Sequence, residues 1–165
     1  MKLLYHASTF TKLRVIKPHQ TLYKNGRPMG KFVFASYNVK YAAMYLVRNG
    51  NYTLMNAKGK KPYIIIRANQ KHYLENDQPG AIYTLSDKTF IKTPQQGLEK
   101  TERVSNESVE VIDKRIFSSS IEGMIEMGIT IYFVNRKTFK LLLDTKDDKK
   151  ILPQLTPYLV VKAKN

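Results

Sequence analysis

The stretch Phe32-Val33-Phe34-Ala35-Ser36-Tyr37-Asn38-Val39-Lys40-Tyr41-Ala42-Ala43-Met44-Tyr45-Leu46 changes its periodicity halfway along. Residues 32–36 form a continuous apolar run ending in a small hydroxyl, the pattern of a buried strand. From Asn38 onward Tyr41, Ala42, Tyr45 and Leu46 recur at helical spacing. Asn38 can accept hydrogen bonds from the free amides of a first helical turn, and Asn49-Gly50 supplies a stop. A strand therefore hands the chain directly to a helix.

Outward from that junction the pattern is mostly strand. Residues 3–8 read as a short opening strand, and 17–20 and 24–30 as turn and loop chemistry. Downstream, 52–55, 63–67, 71–74 and 82–85 read as strands punctuated by Gly59, Pro62, Asn69 and Pro79-Gly80. A polar loop is expected over 89–99, around Pro94 and Gly97, followed by strands at 101–105 and 109–112. Ser118 to Ser120 can cap a helix over 121–127 that ends at Gly128. Residues 129–134 form a further strand, 138–143 fit helix or strand equally, and 158–162 read as a late strand. This is not the alternation of a doubly wound fold. The expected class is α+β, with small helices on split antiparallel sheets, in one domain over residues 1–165.

Composition supports a single core. At 165 residues the chain suits one domain, and 42% apolar with 25% charged residues is ordinary for a globular protein. There is no cysteine, which excludes disulfides, thiolate metal sites and a cysteine nucleophile. No run approaches the ~20 apolar residues of a membrane span, and no long apolar stretch follows the basic N-terminus, so a cytoplasmic protein without membrane contact is expected.

Charge is lopsided. Of the net +15, almost all belongs to residues 1–74, which hold fourteen Lys and Arg and no Asp or Glu. The first acid is Glu75. A one-sided positive field steers phosphate-bearing partners, so an anionic partner is expected.

Phosphate loops, dinucleotide fingerprints, zincin and nucleophile-elbow motifs are all missing. His6, His19 and His72 are not at ligand spacing, and Ser118-Ser119-Ser120 suits a cap better than a nucleophile. What stands out is order. Tyr5-His6-Ala7-Ser8 ends the first strand. Val33-Phe34-Ala35-Ser36 and the Ala- and Tyr-rich helix follow, and Glu102-Arg103-Val104-Ser105 opens a later strand pair. Together these segments resemble the ADP-ribosyltransferase superfamily, which includes the rifampin-modifying enzymes and the RNA 2′-phosphotransferases. Ala7 stands where those proteins usually have Gly, and Phe34 where Tyr is usual.

The resemblance implies NAD as substrate and cofactor, with ADP-ribose passed to an acceptor protein, nucleic acid or small molecule. It implies catalytic roles for His6 and for Glu102 or Glu99, and an aromatic face at Phe34. Ser8, Ser36, Tyr41 and Tyr45 would line the cofactor site, and Arg14, Lys31 or Arg67 would hold the pyrophosphate. The chemistry fits these residue types. A carboxylate stabilises an oxocarbenium-like transition state, a histidine orients a ribose hydroxyl, and an aromatic ring stacks on nicotinamide. The arginines are too few for the RNA 2′-phosphotransferase pattern. The competing reading is a nucleic-acid-binding module without catalysis, whose tyrosines stack on unpaired bases while its lysines contact phosphates.

Overall fold

The computed structural model describes residues 2–22, 26–47, 52–57, 61–145 and 148–159. In chain order the strands are β1 (Leu3–Ser8), β2 (Val15–Ile16), β3 (His19–Leu22), β4 (Pro28–Ala35), β5 (Tyr52–Asn56) and β6 (Tyr63–Arg67). They continue with β7 (Gly80–Ser86), β8 (Ile91–Lys92), β9 (Arg103–Ser105), β10 (Val109–Phe117) and β11 (Thr130–Val134). The helices are α1 (Val39–Ala43), extended by a 3-10 turn Met44–Leu46, then α2 (Gln70–Glu75), α3 (Ser120–Glu126), α4 (Arg136–Thr145) and α5 (Asp148–Ile151).

The architecture is mixed α+β with mostly antiparallel sheets. One four-stranded sheet has the order β1-β7-β10-β2, a second has β3-β4-β9-β8, and a three-stranded sheet has β11-β6-β5. The expected antiparallel pairing holds for most of the strands and needs correction at one place, where β6 and β11 pair in parallel. The long excursion between them, through β7 to β10 and α3, lets the chain return in the same direction.

One bridge joins the two larger sheets. The Tyr5 amide donates to the Ser36 carbonyl at 2.8 Å, and the Ser36 amide to the Tyr5 carbonyl at 2.9 Å. From this seam the sheets diverge over a core of Leu4, Val33, Ala35, Tyr83, Leu85 and Val109. A second core sits beneath α3, with Leu46, Ile64, Ile66, Phe117, Ile121 and Met124. The run Ile64-Ile65-Ile66 supplies two cores at once. Strand alternation turns Ile64 and Ile66 to the α3 side and Ile65 to the opposite face, where Phe139 and Leu142 of α4 cover it. That burial on both faces explains why the run shows no polar alternation.

Several local readings change. Residues 71–74 are helical, not a strand: the Asn69 side chain accepts from the His72 amide at 3.0 Å and starts α2, which buries Tyr73. Residues 19–22 form β3 rather than loop, with Thr21 opposite Gly30, and β4 already begins at Pro28. Residues 138–143 belong to α4, whose buried Phe139 and Leu142 stand three apart. Tyr158 makes a single bridge to Ile131, while 160–162 and Asn49-Gly50 lie outside the described residues. Gly128 follows α3 at φ +77°, the left-handed conformation that ends helices.

Candidate functional site

A cleft of about 790 Å³ opens at the seam between the two larger sheets. Such a volume lies within the ~300–1,000 Å³ usual for small-molecule sites. β1 contributes Tyr5 to Ser8, β4 contributes Phe34 and Ala35, and Ser36 follows directly. The α1 segment contributes Tyr41 and Tyr45, and the turn before β9 contributes Glu102. His6, Phe34 and Glu102, far apart in sequence, thus line one cavity.

Two hydrogen bonds in the α1 segment and one on β1 fix the chemistry. His6 Nδ1 lies 2.7 Å from the Phe34 carbonyl oxygen, which can only accept, so Nδ1 carries a proton and donates. Burial holds the His6 pKa below the usual histidine value. The bond to Phe34 opposes that shift without cancelling it, and the nearby His19 imidazole adds to it. The ring is therefore neutral at pH 7, and Nε2 is left as an acceptor for a ligand hydroxyl.

Asn38 starts α1 by accepting from the Lys40 and Tyr41 amides at 3.0 and 3.2 Å. The i, i+4 spacing then brings Tyr41 and Tyr45 side by side. Both hydroxyls reach the same oxygen: Tyr41 donates to Glu102 Oε1 at 2.8 Å and Tyr45 at 2.9 Å, with the hydroxyls 3.0 Å apart. Burial pushes the Tyr41 phenol up to about 12, opposed by the Tyr45 hydroxyl and aided by Glu102, and drives that of Tyr45 upward as well, aided by Tyr41 and Glu102. Both remain protonated donors. Tyr45 is 47% exposed as a residue, yet its hydroxyl sits on the carboxylate of Glu102, a residue only 5% exposed. Glu102 Oε2 has no hydrogen-bond partner among the described residues. A buried carboxylate oxygen without a donor costs free energy, so the arrangement asks for a reason.

The other expected residues divide. Ser8 lines the cleft, and its hydroxyl accepts from the Phe10 amide at 3.1 Å. Ser36 is buried on the cleft wall, where its hydroxyl accepts from the Asn38 amide at 3.0 Å and leads into α1. Glu99 is not on the cleft wall: its carboxylate accepts from the Gly97 amide at 3.0 Å, and neighbouring amides lower its pKa. Arg14, Lys31 and Arg67 do not line the cleft either. Arg67 lies on β6, with its guanidinium 5.9 Å from the Phe139 ring centroid. The cations that do line the cleft include Lys17, beside His19. Reading 17–20 as loop concealed both. Lys17, His19 and Thr21 share the cleft wall at strand spacing, but with Pro18 and Gln20 between them no contrast of apolar and polar residues marks that face in the sequence.

Among the described residues no group of three His, Asp or Glu side chains is placed to hold a metal ion, and no helix is long and apolar enough to cross a membrane. No protein-family model, curated protein or solved structure matches the chain.

Proposed function

We propose that the chain is an ADP-ribosyltransferase-like protein that binds NAD in this cleft and transfers ADP-ribose to an acceptor. The observation that carries the reading is the meeting of His6, with only Nε2 left to accept, and Glu102, with one oxygen held by two tyrosines and the other unpaired, in one cavity of about 790 Å³. NAD supplies the bond between ribose C1′ and the nicotinamide nitrogen. As that bond breaks, its electron pair leaves with nicotinamide and positive charge develops at C1′. The acceptor nucleophile then bonds to C1′ and loses a proton. Glu102 stabilises the positive charge, His6 Nε2 accepts from a ribose hydroxyl, and Phe34 offers a ring face to nicotinamide. Lys17 is the cation on the cleft wall suited to the pyrophosphate.

Calorimetric titration with NAD, paired with an assay of nicotinamide release, tests this. His6→Ala is expected to weaken NAD binding, since its role is to hold the ribose. Glu102→Gln keeps an acceptor oxygen for the tyrosines and is expected to leave affinity nearly unchanged while slowing release about 10²–10³-fold. Failure of the unmodified protein to bind NAD would overturn the reading.

A further inference from the structure

The mouth of the cleft carries Phe10, which the proposed chemistry does not use, beside Phe34 and Lys17, which it does. Phe10 lines the cavity and is 73% exposed, an unusual position for a phenylalanine. Its loop is tied down on both sides. The Tyr83 hydroxyl donates to the Phe10 carbonyl and accepts from the Leu13 amide, and Lys114 Nζ donates to the Thr11 carbonyl at 2.9 Å. Phe10 is thus held out in solvent by its backbone.

β3 and β4 contribute an aromatic ledge. Phe34 lies 6.3 Å from the His19 ring and 6.2 Å, edge-on, from the Phe32 ring. Gly30 lets the ledge extend outward: its φ is +129°, and a Cβ there would fall 2.8 Å from the Phe32 ring. Three cations lie on the segment that follows Phe10, and Lys17 among them shares the cleft wall with Phe10 and Phe34. Lys12, Arg14 and Lys17 are exposed, and among the described residues none has a carboxylate within ion-pair distance. The acid nearest in register is Glu110, opposite Val15.

We propose that this mouth docks single-stranded nucleic acid, with a base stacked on Phe10 and phosphates along Lys12, Arg14 and Lys17. The docking rests on these residues alone. That the strand is also the acceptor of ADP-ribose rests on the function proposed above. An exposed aromatic ring followed along the chain by uncompensated cations matches the two faces of an unpaired nucleotide, its flat base and its phosphate. A duplex keeps its bases stacked inside, and an acidic peptide brings charge without a ring for Phe10.

The test is fluorescence anisotropy of labelled dT12 and rU12 with the full chain, from 50 to 300 mM KCl. Binding is expected to fall with salt at a slope of roughly −2, as for about three neutralised phosphates. Phe10→Ala, a change at an exposed site, is expected to weaken binding on the order of tenfold. Lys12→Gln with Arg14→Gln is expected to flatten the salt slope. A preference for rU12 over dT12, or the reverse, would assign the sugar. No binding of either strand at 50 mM KCl would overturn the proposal. So would equal affinity in the Phe10→Ala protein, or equally good competition by polyglutamate, which would mark an acidic protein as the partner. Calorimetry with NAD on the same preparation separates the two ideas. NAD bound without the oligonucleotide refutes only the docking surface, and the converse refutes only the NAD cleft.

Discussion

Glu102 has two oxygens in opposite circumstances. Oε1 receives two phenolic hydrogens, and Oε2 receives none. The tyrosines therefore set the rotation of the carboxylate and leave one oxygen uncommitted. Hydrogen bonds to a charged group are the stronger kind, at roughly 1.5–3 kcal/mol. Because both donors serve a single atom, their removal is expected to be non-additive. Tyr41→Phe or Tyr45→Phe alone should slow nicotinamide release only a few-fold, since the other hydroxyl still holds Oε1. The double variant should lose more than the product of the two, with the loss in kcat and little change in KM. Steady-state kinetics on the three variants, with melting temperatures measured alongside, would check this. Equal loss in kcat and in thermal stability would mean that the pair only fills space.

At the scale of elements, the helix that carries the tyrosines depends on its first residue. α1 is five residues long, too short to hold itself together, and the Lys40 and Tyr41 amides of its first turn are satisfied by the Asn38 side chain. Asn38→Ala should cost about 1 kcal/mol in urea-induced unfolding, and should slow nicotinamide release beyond what that stability loss explains. This strand-to-helix junction was legible in the sequence because cap, period and apolar run agreed. The helix at α2 was not, because four residues carry too little period and the decisive cap at Asn69 precedes them. β3 was hidden because three of its four side chains are exposed and polar alternation does not show in His19-Gln20-Thr21. Glu102 could not be separated from Glu99 by spacing. The intervening turn decides it, with the Thr101 and Glu102 amides both donating to the Leu98 carbonyl. That Lys17 lines the cleft and Arg14, Lys31 and Arg67 do not was hidden for a related reason: sequence shows where charge is plentiful, not which side chains turn toward a cavity.

For the molecule as a whole, one partly buried histidine ties folding to pH. His6 has a native pKa below its ordinary value, so between that value and about 6.5 the unfolded chain binds a proton that the folded chain does not. Stability contributed by neutral His6 is present above pH ~6.5 and declines as pH falls through this window. The slope from one such group is at most about 1.4 kcal/mol per pH unit. Urea midpoints between pH 5 and 8 should show that decline in the unmodified protein and a shallower one in His6→Asn. An equal slope in both would place the titration elsewhere.

Tyr83 joins these scales. Its ring is fully buried between the larger sheets, on the strand directly beside His6, while its hydroxyl supports the backbone of the Phe10 loop. It acts as a strut of fixed length, footed in the core and bearing on the rim. The entropy of ordering that loop is therefore spent when the chain folds rather than when a partner arrives. A rim prepared in this way is already in place before any encounter and need not be rebuilt for the next.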